Sequence, residues 1–305
     1  MLLLDSVVQA CDRMYSSFGD KCGCINGVCN HPSGNCGGGC YECLYHIHYP
    51  SKAPENSKKT YDCPKMLYHY VCQYSYLYTT ELLCAFSNEW DFIKSFPYYH
   101  ILSLGCGGCA DLMAIDYLYQ NSYIQNRVSY YGIDINNLWA PIHQEIEKYC
   151  KSSDIGFKTT YSDVFACFKD RGIVDTNIIV ISYLLSSLYN RNQIGGINRL
   201  ADDLAKNVVL KKKDGVPLLL IINDVNSYKR GRDYFSHFED AIRNCGLTVQ
   251  KSEYKYFDTG KLYDGQKLGT PYNYSNVAIT VPNNIQRKYH TSSINSTVQL
   301  LVEVS

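Results

Sequence analysis

Two stretches of the chain concentrate residues whose types and spacing could do chemistry. In His100–Ile115, a short apolar run breaks at Gly105, Cys106, Gly107, Gly108 and Cys109, then resumes at helical spacing. Glycines just beyond a strand let the chain turn sharply and let a ligand approach the backbone with no Cβ in the way. A helix starting there turns free N–H groups and a positive dipole end toward that ligand. The second stretch carries Cys22, Cys24, Cys29, His31, Cys36, Cys40, Cys43 and His46, with His48 close behind. Cys and His so closely spaced on glycine-rich turns suit structural Zn²⁺, because each turn brings two ligands to one metal. Thiolates suit an iron–sulfur cluster as well, so that alternative stands beside zinc. A segment this poor in aliphatic residues needs metal binding to supply its folding free energy.

The elements that must position these residues follow from periodicity. Apolar runs predict strands at His100–Leu104, Ser129–Asp134, Gly156–Tyr161, Asn177–Ser182 and Val216–Asn223. Helical patterns fall at Asp111–Gln120, Leu138–Lys151, Ile194–Leu210 and Arg232–Cys245. Runs with little alternation mean strands covered on both faces, hence a mostly parallel, Rossmann-like α/β sheet with helices on both sides. Leu247–Phe257 and Asn276–Val281 are then expected to pair as a C-terminal antiparallel hairpin, with a last strand at Val298–Val304. Upstream, Met66–Phe86 has apolar and aromatic residues at helical spacing and reads as an amphipathic helix. The chain therefore divides into a Cys/His-rich, helical metal-binding module over residues 1–98 and an α/β domain over residues 99–305.

Composition excludes several roles. Lys+Arg and Asp+Glu are both 29, so no global field recruits nucleic acid. Residues 1–98 hold 7 basic and 9 acidic residues, two net negative charges, the wrong sign for a phosphate backbone. Interspersed Tyr41, Tyr45 and Tyr49 could still stack on RNA bases or meet a protein partner. Lys211, Lys212 and Lys213 read as a solvated helix end. Asp5 interrupts the apolar start at once, and the longest apolar runs are strand-sized, which predicts a cytoplasmic chain without a membrane segment. Fifteen cysteines in that compartment are expected to be thiols or metal ligands rather than disulfides.

The run Ile101-Leu102-Ser103-Leu104-Gly105-Cys106-Gly107-Gly108-Cys109 resembles the first motif of class I S-adenosylmethionine-dependent methyltransferases. Ser103 fills the family's acidic or small polar place two before the first glycine, while Cys109 stands where the family often has a third glycine. The resemblance implies a transferase whose cofactor, S-adenosylmethionine, is held by Ser103, Gly105, Cys106, Gly107, Asp134, Ile135, Asp163, Val164 and Ser182. Asp134, ending Tyr130-Tyr131-Gly132-Ile133-Asp134, would accept both ribose hydroxyls. Asp163 would lie near the adenine amino group. Tyr183, after the fourth strand, would line the acceptor pocket, with Asn223 and Asp224 in second rank. The acceptor, whether nucleic acid, protein or small molecule, is left open, and the Cys-rich module is expected to cap or recognise it. Gly105-x-Gly107-x-x-Ala110 also matches a dinucleotide fingerprint, which keeps an NAD(P)-dependent oxidoreductase in view. A non-catalytic binding or assembly protein of the same fold is the remaining alternative.

Overall fold

The runs Asn177–Ser182 and Val216–Asn223 become strands covered from both sides, whereas Gly156–Tyr161 forms a strand with no buried residue. The computed structural model describes residues 1–21, 24, 39–53, 60–170, 175–213, 215–227, 230–257, 268–272, 279–291 and 297–305. These form, in chain order, α1 (Leu3–Ser17), α2 (Cys40–His48), α3 (Pro64–Asn88), α4 (Trp90–Ile93), β1 (Tyr99–Leu104), α5 (Ala110–Gln120), β2 (Val128–Asp134), α6 (Ala140–Ser152), β3 (Gly156–Tyr161), α7 (Val164–Asp170), β4 (Ile178–Ser182), α8 (Leu184–Asn190), α9 (Ile194–Asn207), β5 (Leu218–Val225), α10 (Phe235–Asn244), β6 (Val249–Tyr256), β7 (Thr270–Pro271), α11 (Asn283–Tyr289) and β8 (Thr297–Val304). The strands lie in one sheet, in the order β3-β2-β1-β4-β5-β8-β6-β7. Strands β1 to β5 are parallel, and β8 runs antiparallel between β5 and β6. This is a Rossmann-like α/β fold with an antiparallel C-terminal pair.

That pair is built differently from the expectation. The partner of β6 is β8, not Asn276–Val281, and Ile279–Val281 carry no strand, while residues 276–278 lie outside the described residues. The reason is burial. Seven of the eight β8 residues are buried, so the strand needs a neighbour on each edge and a cover on each face.

Two apolar layers flank the sheet. On one face α1, α3, α5, α6 and α11 share a single core with Ile101, Tyr130, Ile178, Val180, Leu219 and Leu301. On the other, α7 to α10 pack over Leu102, Leu104, Ile133, Ile179, Ile181 and Ile222. The boundary at residue 98/99 falls between α4 and β1, yet the helices before it belong to the sheet's own core. Helix α3 departs from the amphipathic expectation for the same reason. All of its residues are buried except Pro64, Tyr70, Tyr74, Ser87 and Asn88, because α1, α2, α5 and α11 surround it. A helix enclosed on every side must pack or pair each of its faces, and its tyrosines supply ring faces to pack and hydroxyls to bond. No helix among the described residues is long and apolar enough to cross a membrane.

Candidate active site

The glycine turn sits where β1 leaves the sheet. Gly105 and Gly107 take φ of +68° and +48°, a region costly for any residue with a Cβ. The N–H groups of Gly105 and Cys106 both donate to the Ile133 carbonyl, at 2.8 and 3.1 Å, which staples the turn to the end of β2. A Cβ at Gly105 would meet Leu184 at 3.2 Å, and one at Gly107 would touch the Trp139 ring at 3.6 Å. The turn is thus bordered by the first residue of α8 on one side and by Trp139 on the other.

Asp134 closes the geometry. Its Oδ2 accepts from Gly107 N–H at 2.9 Å and its Oδ1 from Asn136 N–H at 2.8 Å. Burial lifts its carboxyl above the usual aspartate range, although both backbone N–H groups and His143 favour the charged form. Ile135, next along, is 65% exposed, an aliphatic surface beside the carboxylate. Asp163 is exposed and caps α7 by accepting from Phe165 N–H at 2.8 Å; Val164 is half-buried beside it. Ser103 is buried beneath the turn, bonded to Asp111 and Tyr130. Ser182 Oγ accepts from Asn223 at 3.2 Å. The structure thus gathers Gly105, Cys106, Gly107, Asp134 and Ile135 around the turn and sets Ser103 behind it.

Directly under the turn lies a cluster that spacing alone did not reveal. Sulfur atoms of Cys106 and Cys109 and one ring nitrogen of His143 lie within 4.8 Å of one another, all three residues buried. His143 is fixed by bonds to the Gly107 carbonyl at 2.7 Å and the Tyr161 hydroxyl at 2.8 Å. Asp111, at the start of α5, accepts from the Tyr130 hydroxyl at 2.9 Å, and burial pushes its carboxyl up to about 7.

Aromatic rings from α3 form the wall above. Tyr70 lies against Trp139, Tyr74 stacks on Tyr78, and Tyr78 approaches Tyr183 with ring centroids 4.3 Å apart. Tyr61 is drawn in too: its carbonyl accepts from Asn136 Nδ2 at 2.8 Å, and its hydroxyl is 2.9 Å from His48 Nε2. Tyr183, in left-handed conformation, spends its hydroxyl on the buried carboxylate of Glu81 at 2.8 Å. Asn223 and Thr297 donate to that carboxylate as well, at 2.9 and 3.1 Å. Burial raises the Glu81 carboxyl to about 7 against these three hydrogen bonds, and Asp224 nearby raises it further. Glu81 went unnoticed in the sequence, although a lone acid within a Tyr-rich helical run was the available signal. Trp139 and His143 gave none beyond the register of their own helix.

Of the proposed metal ligands, Cys22, Cys29, His31 and Cys36 lie outside the described residues. Cys40 and Cys43 form the first turn of α2 and pack in one cluster with Cys63 and Met66, against which Cys24 also rests. His46 is buried on the same helix.

No family model matches the sequence, and neither does any curated protein. Among solved structures, the plantazolicin methyltransferase BpumL bound to SAH is similar, with a TM-score of 0.42 at 12% identity, covering 86% of this chain and 98% of that one. An S-adenosylmethionine-dependent methyltransferase from Clostridium acetobutylicum gives 0.41 at 10% identity, over 87% and 98% of the two chains. A human methyltransferase 10 domain containing protein gives 0.41 at 10% identity, over 73% and 81%.

Proposed function

We propose that the protein is an S-adenosylmethionine-dependent methyltransferase whose N-terminal helices and Cys-rich segment cover the acceptor site. Asp134 carries the reading. Each of its oxygens holds one backbone N–H and keeps a lone pair for one hydroxyl of a ribose diol. Exposed Ile135 offers an apolar face to a purine, and Asp163 keeps an oxygen for an exocyclic amino group.

When bound, the cofactor supplies a methyl group already activated on a sulfonium, so catalysis is chiefly alignment of the acceptor's lone pair. The chain's contribution is placement and exclusion of water. Gly105 and Gly107 keep the backbone approachable, while Trp139, Tyr78 and Tyr183 present ring faces, which attract a cation. Burial raises the hydroxyls of Tyr78 and Tyr183, so both remain neutral hydrogen-bonding groups. Glu81 fixes the Tyr183 ring and acts as a positioning residue.

The covering role of residues 1–98 is supported by Tyr61 on Asn136, Tyr70 on Trp139 and Glu81 on Tyr183. Zinc held by Cys24, Cys40, Cys43 and residues around them belongs to the same reading, as does a reducing, cytoplasmic location for so many thiols.

Calorimetric titration with S-adenosylmethionine and with NADH tests the assignment. The first is expected to bind, and Asp134→Ala to lose at least about a hundredfold in affinity, the loss of two charged hydrogen bonds. Preference for NADH overturns it. A labelled-methyl assay over RNA, protein and small-molecule pools identifies the acceptor; transfer to none favours the binding-protein alternative. Metal analysis with an absorption spectrum separates zinc from a coloured iron–sulfur cluster.

A further inference from the structure

Cys106 and Cys109 frame Gly107, the residue whose N–H holds Asp134 and whose carbonyl holds His143. Their sulfurs lie within 4.8 Å of each other and of His143. Gly132 makes room for this arrangement: a Cβ there would sit 2.8 Å from Cys106 Sγ, which explains a glycine in the middle of β2. Cys109 is the N-cap of α5, strained at φ +58°, where the helix dipole favours an anion. Two cysteines separated by two residues at a helix N-terminus form the arrangement in which a thiolate is stabilised for exchange with its neighbour. The charge states agree. Burial works against a Cys109 thiolate, but the hydrogen bond from Cys106 and the positive charge of His143 outweigh it and bring the thiol well below its usual range. The same hydrogen bond and burial push Cys106 up, so Cys106 keeps the proton.

We propose that Cys106 and Cys109 are a reversible thiol–disulfide site inside the ligand loop, oxidised by a peroxide, and that closing the disulfide weakens ligand binding at Asp134. The Cys109 thiolate attacks one peroxide oxygen and the O–O bond breaks. The departing hydroxide takes the His143 proton and leaves as water. Cys106 Sγ then attacks the sulfenic Cys109, its proton passing to His143. The S–S bond forms, the S–O bond breaks, and His143 protonates the second hydroxide. Two thiols and one peroxide thus give one disulfide and two waters. The bridge ties together the residues on both sides of Gly107 and disturbs the N–H that holds Asp134, a consequence that rests on the S-adenosylmethionine reading.

The experiment treats the full-length protein with hydrogen peroxide, then digests it with trypsin after blocking free thiols. Cys106 and Cys109 are the two cysteines between Lys94 and Arg127, where no other cleavage site lies, so a single peptide reports on both. After peroxide it is expected to carry no blocking group and to be lighter by two hydrogens than the unblocked dithiol peptide, and after dithiothreitol to take up two blocking groups. S-adenosylmethionine affinity is expected to fall about tenfold on oxidation, the loss of one charged hydrogen bond. In Cys106→Ser and Cys109→Ser, affinity, whatever its level, is expected no longer to respond to peroxide. A peptide that stays reduced while other cysteines oxidise overturns the proposal. So does stoichiometric metal on the two thiols that blocks oxidation, or equal affinity in both redox states. Failure of the reduced protein to bind S-adenosylmethionine counts against the methyltransferase reading instead, since the peptide mass reads the thiol chemistry independently.

Discussion

Glu81 is a buried acid at the centre of a polar network beside the site. Its carboxylate is the shared acceptor for Tyr183, Asn223 and Thr297, so truncation leaves three buried donors unpaired at once. Orphaned buried groups cost about 1–3 kcal/mol each, with partial relief from relaxation. Glu81→Ala is therefore expected to lose about 3 kcal/mol or more in urea unfolding, and Glu81→Gln distinctly less because it keeps an acceptor oxygen. Equal losses would mean that charge, not hydrogen bonding, is what the network needs. Gly132 is a second residue-scale test. Gly132→Ala places a methyl 2.8 Å from Cys106 Sγ and 3.0 Å from the Tyr130 ring. The overpacking is expected to cost about 1–3 kcal/mol, read as a lower unfolding midpoint.

At the scale of elements, what was legible depended on whether the signal was local. The five parallel strands were readable because Ile178–Ile181 and Leu218–Ile222 are apolar runs buried on both faces. The turn at Gly105 and the carboxylate at Asp134 were readable because each ends such a run. The place of β8 was not, since antiparallel insertion between β5 and β6 is a long-range pairing that leaves no short-range mark. Nor was the enclosure of α3: its tyrosines repeat at helical spacing like a surface stripe, and only the packing of α1, α5 and α11 around them buries the remaining faces. The same packing argues against independent halves. Leu3 N–H donates to Asp116 at 2.8 Å, and Leu3, Val7, Leu67, Leu82 and Phe86 share one core with Ile101 and Ile115. A fragment of residues 99–305 would expose that face of the sheet and of α5. It is expected to lack a cooperative thermal transition and to bind a hydrophobic dye, whereas a sharp transition would establish residues 1–98 as a separable module.

For the whole molecule, the buried acids and histidines set how stability depends on pH. Burial raises Glu81 and Asp111 to about 7 and Asp224 to about 6. A carboxyl whose folded pKa lies above its unfolded one binds more protons when folded, so its contribution is present at low pH and lost as pH rises through the folded value. Burial also holds His48 and His69 neutral, with pKa lowered to about 4. Their sign is opposite: the unfolded chain takes up those protons first, and stability is lost as pH falls from about 6.5 toward about 4. Over that acid range the two sets partly cancel. From about 6.5 to about 7 the carboxyls meet progressively less opposition from these histidines, because the unfolded chain loses those protons too. The unfolding temperature is therefore expected to decline only gently from about pH 4.5 to about 6, where three carboxyls oppose two histidines, and more steeply as pH rises from about 6.5 toward about 7. Glu81→Gln, which has no proton to lose, is expected to make this decline shallower. Thermal scans of both proteins across this range provide the check. A melting temperature that climbs steadily to pH 8, or a Glu81→Gln curve parallel to the parent at every pH, would show that Glu81 is already charged near neutrality and that its three donors outweigh its burial.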